Sequence, residues 1–268
     1  MGSDEYVLRD VHAGVCTLTL HNPDRRNAWN VLMEEQYFTL LDEADVDPDV
    51  RAIVLTGAGS SFCPGLDTQR LSALAGEGTL DLSRRRPQTY PLRIRKPMVA
   101  AINGACAGLG FITALSSDIR IAALDAKMTT SFARRALPAE EAAAWLLPRI
   151  VGHAVALDLL LSARVVTGEE AAAIGLVHQA VPRDEVLPVA LAYARDVARN
   201  CSPLSMALAK RQVYADWERS MWESRKDAMR LVAEHKSHPD RAEGVRSFVE
   251  RRPPAFQPFT EPFESEPR

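Results

Sequence analysis

Two glycine-containing segments hold the residues of this chain that are best placed to do chemistry. They are Ser61-Phe62-Cys63-Pro64-Gly65-Leu66-Asp67 and Asn103-Gly104-Ala105-Cys106-Ala107-Gly108-Leu109-Gly110. Each follows a short apolar run and precedes a predicted helix. Backbone N–H groups at the start of a helix have no partner within it, so they attract an anion or an oxygen that becomes anionic during a reaction. Two such segments could supply two donors to one oxygen.

The apolar runs that lead into these segments predict buried parallel strands. Residues 52–55 and 98–102 are short and continuously apolar, as expected for strands covered on both faces. Further strands are predicted over residues 15–20, 119–123 and 176–181, the first of them in a hairpin-like start. Strand, glycine segment and helix then recur in one order, which predicts right-handed β-α-β crossovers.

Helical spacing of apolar residues accounts for most of the remaining chain. Asn30 is a candidate N-cap for a first helix that ends near Asp47. Ser202-Pro203 is an N-cap followed by proline at the first helical position, which predicts a long helical region reaching about His235. The other predicted helices cover residues 110–117, 139–147, 153–161, 168–173 and 239–251.

Composition narrows the class of protein. The chain has 268 residues, 47% of them hydrophobic, and a formal net charge of −3, which supports a sizeable core and gives no electrostatic case for nucleic acid or an anionic membrane as partner. The four cysteines are far apart, which favours neither a disulfide framework nor a metal site. The N-terminus lacks the features of a signal peptide, and no apolar run approaches a membrane span. We therefore predict a cytoplasmic protein with a small ligand.

Three other features have weaker interpretations. Gly57-Ala58-Gly59 lacks the third glycine of a dinucleotide fingerprint, so a nicotinamide enzyme is a distant alternative. Cys63 has no histidine close in sequence, and a small buried thiol is favoured over a nucleophile. Residues 76–91 contain glycines, prolines and Arg84-Arg85-Arg86, which predicts an exposed, mobile segment whose arginines are more often a solvated face than a ligand site.

Motifs in both glycine segments and beyond them resemble one known family. In order and spacing they are similar to the enoyl-CoA hydratase/isomerase family, the crotonase superfamily, from about residue 5 to Phe256. The motifs are Asn22-Pro23-Asp24-Arg25-Arg26-Asn27-Ala28-Trp29-Asn30, Phe62-Cys63-Pro64-Gly65-Leu66-Asp67, Lys96-Pro97, Ala100-Ala101-Ile102-Asn103-Gly104, Gly108-Leu109-Gly110, Ser117-Asp118-Ile119-Arg120-Ile121-Ala122 and Ser247-Phe248-Val249-Glu250-Arg251-Arg252-Pro253-Pro254-Ala255-Phe256.

The resemblance implies a fold, a substrate and an assembly. The fold is α/β, a crotonase-like spiral of ββα units, with residues 1–200 as the spiral core and residues 201–268 as a C-terminal helical region. The substrate is an acyl-coenzyme A thioester, so coenzyme A belongs to the substrate and no separate cofactor or metal is expected. The assembly is a homotrimer or a dimer of trimers.

The resemblance also assigns the two free donors. In such enzymes the thioester oxygen accepts hydrogen bonds from two peptide N–H groups, which correspond here to Leu66 and Leu109. Gly65 and Gly108 would let the backbone turn and approach closely. The second donor is commonly glycine in the family, so Leu109 is a departure, and its side chain either packs in the core or narrows the pocket.

The acid or base of the reaction does not lie at the positions that many hydratases of the family use. Many hydratases of the family use two glutamates, and the corresponding positions here are Ile112 and Phe132, neither of which can transfer a proton. Glu140 resembles the acidic residue of the isomerase branches, and Glu141 is a weaker candidate. At the start of a predicted helix, both could instead only favour the helix dipole.

The remaining residues carried over from the family would bind coenzyme A. Arg25 and Arg26 lie where the family often places a basic residue near the phosphates, although either could be only a surface charge. The segment 61–67 borders the adenine pocket, mainly through backbone atoms. The predicted substrate-binding residues are Arg25, Arg26, Ala28, Pro64, Gly65, Asp67 and Gly108.

These observations leave two functions open. The first is an acyl-CoA enzyme that hydrates a 2-enoyl-CoA or shifts the double bond of a 3-enoyl-CoA, in fatty-acid or related metabolism. The second is a catalytically weak acyl-CoA-binding paralogue, because both usual glutamate positions are apolar. Whether Glu140 carries a proton distinguishes the two functions.

Overall fold

The computed structural model describes residues 5–67 and 86–260. The exposed, mobile segment predicted at 76–91 lies mostly outside these ranges, and the prediction is wrong for its described end, where Gln88 and Pro91 are buried. The helix expected after the first glycine segment also lies outside the described residues.

The strands form two sheets. The larger has the order β1-β2-β3-β5-β7-β9, and the smaller has the order β4-β6-β8. Among the described strands, β1 and β2 pair antiparallel, in the hairpin expected at the start of the chain, and the other ladders are parallel. The strands are β1 Val7–His12, β2 Val15–Leu20, β3 Ala52–Gly57, β4 Ser61–Cys63, β5 Met98–Ile102, β6 Ala105–Ala107, β7 Ile119–Ala123, β8 Met128–Thr129 and β9 Gln179–Val181.

The chain alternates between the sheets. Each of β3, β5 and β7 adds a strand to the larger sheet, and the strand that follows it adds one to the smaller sheet. Helix α2 (Leu109–Leu115) completes one such unit between β6 and β7. This repetition is the predicted spiral of ββα units, and it places both glycine segments in the smaller sheet.

Helices cover the ends of the spiral and the faces of the larger sheet. Helix α6 (Val186–Asn200) packs on β2, β3, β5 and β7 through buried alanines. The remaining helices are α1 Val31–Val46, α3 Ala143–Val151, α4 His153–Ser162, α5 Gly168–Ala173, α7 Pro203–Asp216, α8 Met221–Glu234 and α9 Pro239–Glu250, with 3₁₀ turns at Pro23–Arg25, Tyr90–Arg93, Ala133–Arg135 and Arg183–Glu185. Within the described ranges, none of the helices is long and apolar enough to cross a membrane.

Three predicted elements have different bounds. The helix expected at 139–147 begins only at Ala143, because residues 141 and 142 have left-handed backbone angles that end any earlier helical turn. The strand expected over 176–181 is limited to β9, which pairs with β7 from residue 179 onward. The long helical region after Ser202 is divided into α7 and α8 by a break at residues 217–220.

Helix α1 is fixed at both ends. Asn30 is its N-cap, as predicted, and Oδ1 accepts from the backbone N–H of Met33 at 2.8 Å. At the other end, the buried Lys96 ammonium donates to the carbonyl oxygens of Ala44 and Asp47. Burial lowers the pKa of Lys96 to about 8. The Lys96-Pro97 motif therefore ties α1 to the start of β5.

Asp118 joins α7 to the larger sheet. Its carboxylate accepts from the N–H of Met98 at 2.8 Å, from the Lys210 ammonium at 2.8 Å and from the Tyr214 hydroxyl at 3.1 Å. Since Lys210 and Tyr214 belong to α7, the helices after residue 200 are attached to the strands by a partly buried ion pair. The predicted boundary between a spiral core of residues 1–200 and a helical region of residues 201–268 stays a prediction.

Replacing Lys96 tests the anchoring of α1. Lys96→Met fills a similar volume and removes the donors to Ala44 and Asp47, so we expect the free energy of unfolding at pH 7 to fall by about 1–3 kcal/mol. Burial penalises the charged lysine, so the unfolded chain binds more protons than the folded one between pH 8 and 10.5. The wild-type advantage should therefore increase with pH across that window.

Urea unfolding at several pH values measures this effect. Lys127→Met is the matched control, since Lys127 is exposed and lies outside these contacts. Equal stabilities of the two variants, or a wild-type advantage that shrinks as the pH rises, would contradict the anchoring role.

Candidate active site

The two glycine segments meet where β4 and β6 pair. Cys63 and Cys106 are partners in this parallel ladder. Just beyond it, a Cβ added to Gly65 would lie 3.0 Å from the carbonyl oxygen of Ala107 and 3.5 Å from the nitrogen of Leu109. The backbone of one segment therefore runs directly against that of the other.

Glycine is required at this meeting point for two reasons. Gly65 has φ of 102° and Gly108 has φ of 53°, angles that side-chain-bearing residues rarely adopt. At Gly110, an added Cβ would lie only 2.1 Å from the carbonyl oxygen of Cys63. Helix α2 therefore starts in contact with β4, and its first residues lie beside the end of the other segment.

Leu66 and Leu109 both present unused backbone donors. Leu66 forms a parallel bridge with Trp29, in which the Trp29 N–H donates to Gly65 at 2.8 Å and the Asp67 N–H donates to Trp29 at 3.0 Å. In such a bridge the N–H of the central residue points away from its partner strand. Leu109 is the first residue of α2, where no earlier turn accepts its N–H. Within the described ranges, neither N–H donates a hydrogen bond.

The leucine at position 109 does not fill this site with its side chain. Leu109 is 5% exposed and belongs to the hydrophobic core, whereas Leu66 is half-buried. Of the two possibilities for Leu109, core packing is the one observed. Its side chain is directed into the core while its N–H remains available.

A buried asparagine holds the arginine turn, residues 22–27 with Arg25 and Arg26, against β4. Asn27 Nδ2 donates to the carbonyl oxygens of Ala58 and Ser61 at 2.9 Å and 2.8 Å, and Oδ1 accepts from the N–H of Asn22. Arg26 and Asn27 both have left-handed backbone angles, with φ of 55° and 63°. This turn brings the arginines next to the first glycine segment.

A cleft of about 320 Å³ opens between the arginine turn and the first glycine segment. It brings together most of the residues predicted to bind coenzyme A, while Gly65, Gly108 and Leu109 lie beside it at the meeting point of the segments. The lining residues are Asp24, Arg25, Arg26, Ala28, Pro64, Leu66, Asp67 and Arg135.

Two residues near the site were missed by the sequence analysis. Arg135 completes a group of three arginines around the cleft. Ser131 has φ of 58°, and its Oγ would lie 3.4 Å from a Cβ on Gly108. The basic pair Arg134-Arg135 was visible in the sequence, but no local pattern connects it with residues a hundred positions earlier.

Glu140 belongs to a different segment, the turn before α3. Its carbonyl oxygen accepts from the N–H of Ala143 at 2.9 Å, and the side chain is half-buried. The following residues, Glu141 and Ala142, have φ of 50° and 60°. Because α3 begins at Ala143, Glu140 and Glu141 lie just before its first turn, which contains no acidic residue, and their interaction with the helix dipole stays a prediction.

The two usual glutamate positions are buried and apolar. Ile112 on α2 is fully buried and Phe132 is 3% exposed. Both side chains are part of the core, so neither position has room for an ionised carboxylate without a partner. Glu140 and its neighbour Glu141 therefore remain the predicted candidates for the residue that carries the proton.

The Cys63 thiol is not activated as a nucleophile. Burial raises the pKa of its thiol to about 12, and Sγ lies 3.8 Å from the carbonyl oxygen of Gly65. Since the thiolate is the nucleophilic form, Cys63 fills the turn rather than attacking a substrate. Across residues 5–67 and 86–260, no three histidine, cysteine or acidic side chains are grouped closely enough to hold a metal ion.

Comparison with known proteins identifies the family. The family model for enoyl-CoA hydratase/isomerase matches residues 10–258. The chain therefore belongs to the enoyl-CoA hydratase/isomerase family, whose members act on acyl-CoA thioesters. The resemblance seen in the motifs is confirmed, as are the crotonase fold and the expectation of an enzyme of this family.

Individual relatives cover nearly the whole chain. An enoyl-CoA hydratase from Alternaria alternata is 35% identical over 91% of this chain and 83% of its own length. A 1,2-epoxyphenylacetyl-CoA isomerase from Escherichia coli is 32% identical over 94% of this chain and 98% of its own. The crystal structure of a probable enoyl-CoA hydratase/isomerase from Mycobacterium abscessus has a TM-score of 0.87 at 33% identity, covering 94% of this chain and 99% of that one.

Proposed function

We propose that this enzyme binds an acyl-CoA with the thioester oxygen between the N–H groups of Leu66 and Leu109. The observation that carries the proposal is the pair of unused donors at the meeting point of the two glycine segments. Proton removal next to a thioester carbonyl builds negative charge on the oxygen, and two fixed donors stabilise that charge. Losing one such donor reduces the rate roughly 10²–10³-fold.

Glu140 is the proton carrier in this proposal. With Ile112 and Phe132 apolar, Glu140 is the one carboxylate proposed to carry a proton, and a single proton carrier suits a double-bond shift. Glu140 takes a proton from C2 of a 3-enoyl-CoA, the electron pair moves towards the thioester oxygen, and the same proton returns to C4 to give the 2-enoyl-CoA. This step needs no reactant besides the substrate and no cofactor beyond its coenzyme A.

Hydration of a 2-enoyl-CoA is the second candidate. It is supported by the relative from Alternaria alternata, which is named an enoyl-CoA hydratase, whereas the relative from Escherichia coli is named an isomerase of an epoxide-bearing acyl-CoA. Hydration would require Glu140 both to activate water and to protonate C2.

A catalytically weak acyl-CoA-binding paralogue is the remaining alternative. The cytoplasmic location and a role in fatty-acid or related acyl-CoA metabolism also belong to the proposal.

The arginine-lined cleft would hold the phosphates of coenzyme A. Arg25, Arg26 and Arg135 surround it, and arginine forms paired hydrogen bonds with phosphate oxygens.

A trimer, alone or as a pair, is the proposed assembly. Support comes from the last two helices, which expose large apolar side chains to a degree that is unusual for a monomer. These side chains are Met221, Trp222, Met229, Val232, Val245, Phe248 and Val249.

Sedimentation velocity should give the mass of three or six chains, and a single-chain species at micromolar concentration would contradict this assembly.

Substitution of Glu140 tests the reaction. Glu140→Gln keeps the size of the side chain and removes its ability to carry a proton, so we expect kcat with 3-enoyl-CoA to fall by roughly 10²–10⁴-fold with KM nearly unchanged. Glu169→Gln, at an exposed glutamate in the first turn of α5, is the control. Product is measured as the 2-enoyl-CoA formed from 3-enoyl-CoA, and separately as hydration of 2-enoyl-CoA.

The outcomes separate the candidates. Conversion of 3-enoyl-CoA without hydration supports the double-bond shift, and the reverse supports the hydratase. Turnover that survives Glu140→Gln removes Glu140 from the mechanism. Binding of acyl-CoA without turnover of either substrate indicates the paralogue.

Arg135 offers a test of the cleft. Arg135→Ala should raise KM for the acyl-CoA several-fold and leave kcat within a factor of about two, because a phosphate contact remote from the thioester contributes equally to the ground and transition states. Arg134→Ala, next to it but outside the cleft lining, is the matched control. Steady-state kinetics with one substrate measures both constants, and equal KM values for the two variants would contradict a phosphate-binding role for Arg135.

A further inference from the structure

A fully buried glutamine connects the two parts of the proposed site. Gln88 has no exposed surface, and its side chain bonds to two helices. Its Oε1 accepts from the Thr113 hydroxyl at 2.9 Å, and its Nε2 donates to Glu34 Oε1 at 3.1 Å. Helices α1 and α2 are therefore joined through one amide group.

The connection to α2 reaches the proposed oxyanion site. The Thr113 hydroxyl also lies 2.9 Å from the carbonyl oxygen of Leu109, one turn earlier in the helix. Leu109 is the residue whose N–H is one of the two unused donors. The position of Gln88 is thus coupled to the first turn of α2.

The backbone of the same residue holds the acidic turn. The N–H of Gln88 donates to Glu141 Oε2 at 2.8 Å. Glu141 and Ala142 are consecutive left-handed residues without glycine, a strained conformation that persists only where the surroundings impose it. The carboxylate of Glu141 provides one such restraint, and Glu140 is the residue just before it.

We propose that Glu141 is a positioning residue, whose carboxylate fastens the turn carrying Glu140 to Gln88 and thereby to the first turn of α2. The inference rests on the proposed function for the role of Glu140. In this arrangement Glu141 Oε2 is held by the Gln88 N–H, so the proton is carried by Glu140. Glu140 and the Leu109 N–H are then both positioned through the buried Gln88.

Paired substitutions at residue 141 test the proposal. Glu141→Ala removes the acceptor, and we expect kcat to fall roughly 10–100-fold with KM within a factor of about three, since a misplacement near 1 Å can cost about that much in rate. Glu141→Gln keeps an oxygen that accepts from Gln88, so it should recover most of the loss. Glu169→Ala, an exposed glutamate, controls for loss of a surface charge.

The pH profile and hydrogen exchange distinguish positioning from proton transfer. Glu141→Gln should keep the acidic limb of the kcat profile, whereas Glu140→Gln should abolish it. In Glu141→Ala, amide exchange at residues 142–146 should accelerate at least several-fold, and in Glu169→Ala it should match the wild type. Exchange requires no turnover, so it tests the fastening even if the enzyme is inactive on the chosen substrates.

Specific results would overturn the inference. Loss of activity in Glu141→Gln equal to that in Glu140→Gln would make Glu141 the proton carrier. Unchanged kcat and unchanged exchange in Glu141→Ala would show that the carboxylate positions nothing. Full activity of Glu140→Gln, with slowed turnover and faster exchange in Glu141→Ala, would contradict the role of Glu140 while leaving the fastening of the turn intact.

Discussion

The close approach of two backbone segments is the constraint on which the proposed site depends. Gly65 contacts the backbone around Ala107 and Gly108, and Gly110 allows α2 to begin against the carbonyl oxygen of Cys63. A side chain at Gly110 would force the segments apart, and one at Gly65 would be strained by the backbone angle and crowded by the Ala107 carbonyl oxygen. The alternation of strands between two sheets produces this contact, because β4 and β6 are neighbours in the smaller sheet although more than forty residues separate them.

The same contact explains how a leucine can stand where the family commonly has glycine. At position 109 the backbone is the first residue of a helix and needs no unusual angle, whereas the preceding Gly108 absorbs the left-handed conformation. The Leu109 side chain enters the core and its N–H stays available. A backbone donor tolerates a change of side chain, whereas a proton carrier does not, so Ile112 and Phe132 alter the proposed chemistry and Leu109 does not.

Much of the fold could be predicted from the sequence, because its signals are local. Continuous apolar runs, the Asn30 cap and the Ser202-Pro203 cap each report on a few neighbouring residues, and the structure places strands and helices there. The start of α3 could not be predicted, since alanine and glutamate favour a helix and only long-range contacts impose left-handed angles on residues 141 and 142. Arg135 and Gln88 were missed for a related reason, since their partners lie far away in the sequence.

The claim that two backbone N–H groups hold the thioester oxygen is tested most directly by infrared difference spectroscopy of a bound acyl-CoA labelled with ¹³C at the thioester carbonyl. Two hydrogen bonds polarise the carbonyl, so its band should move to lower wavenumber on binding. The shift should shrink in Gly65→Ala, at a residue with φ of 102°, and persist in Gly175→Ala, where φ is 74° but the surroundings are open. A bound carbonyl band at the position of the free ligand would contradict the account.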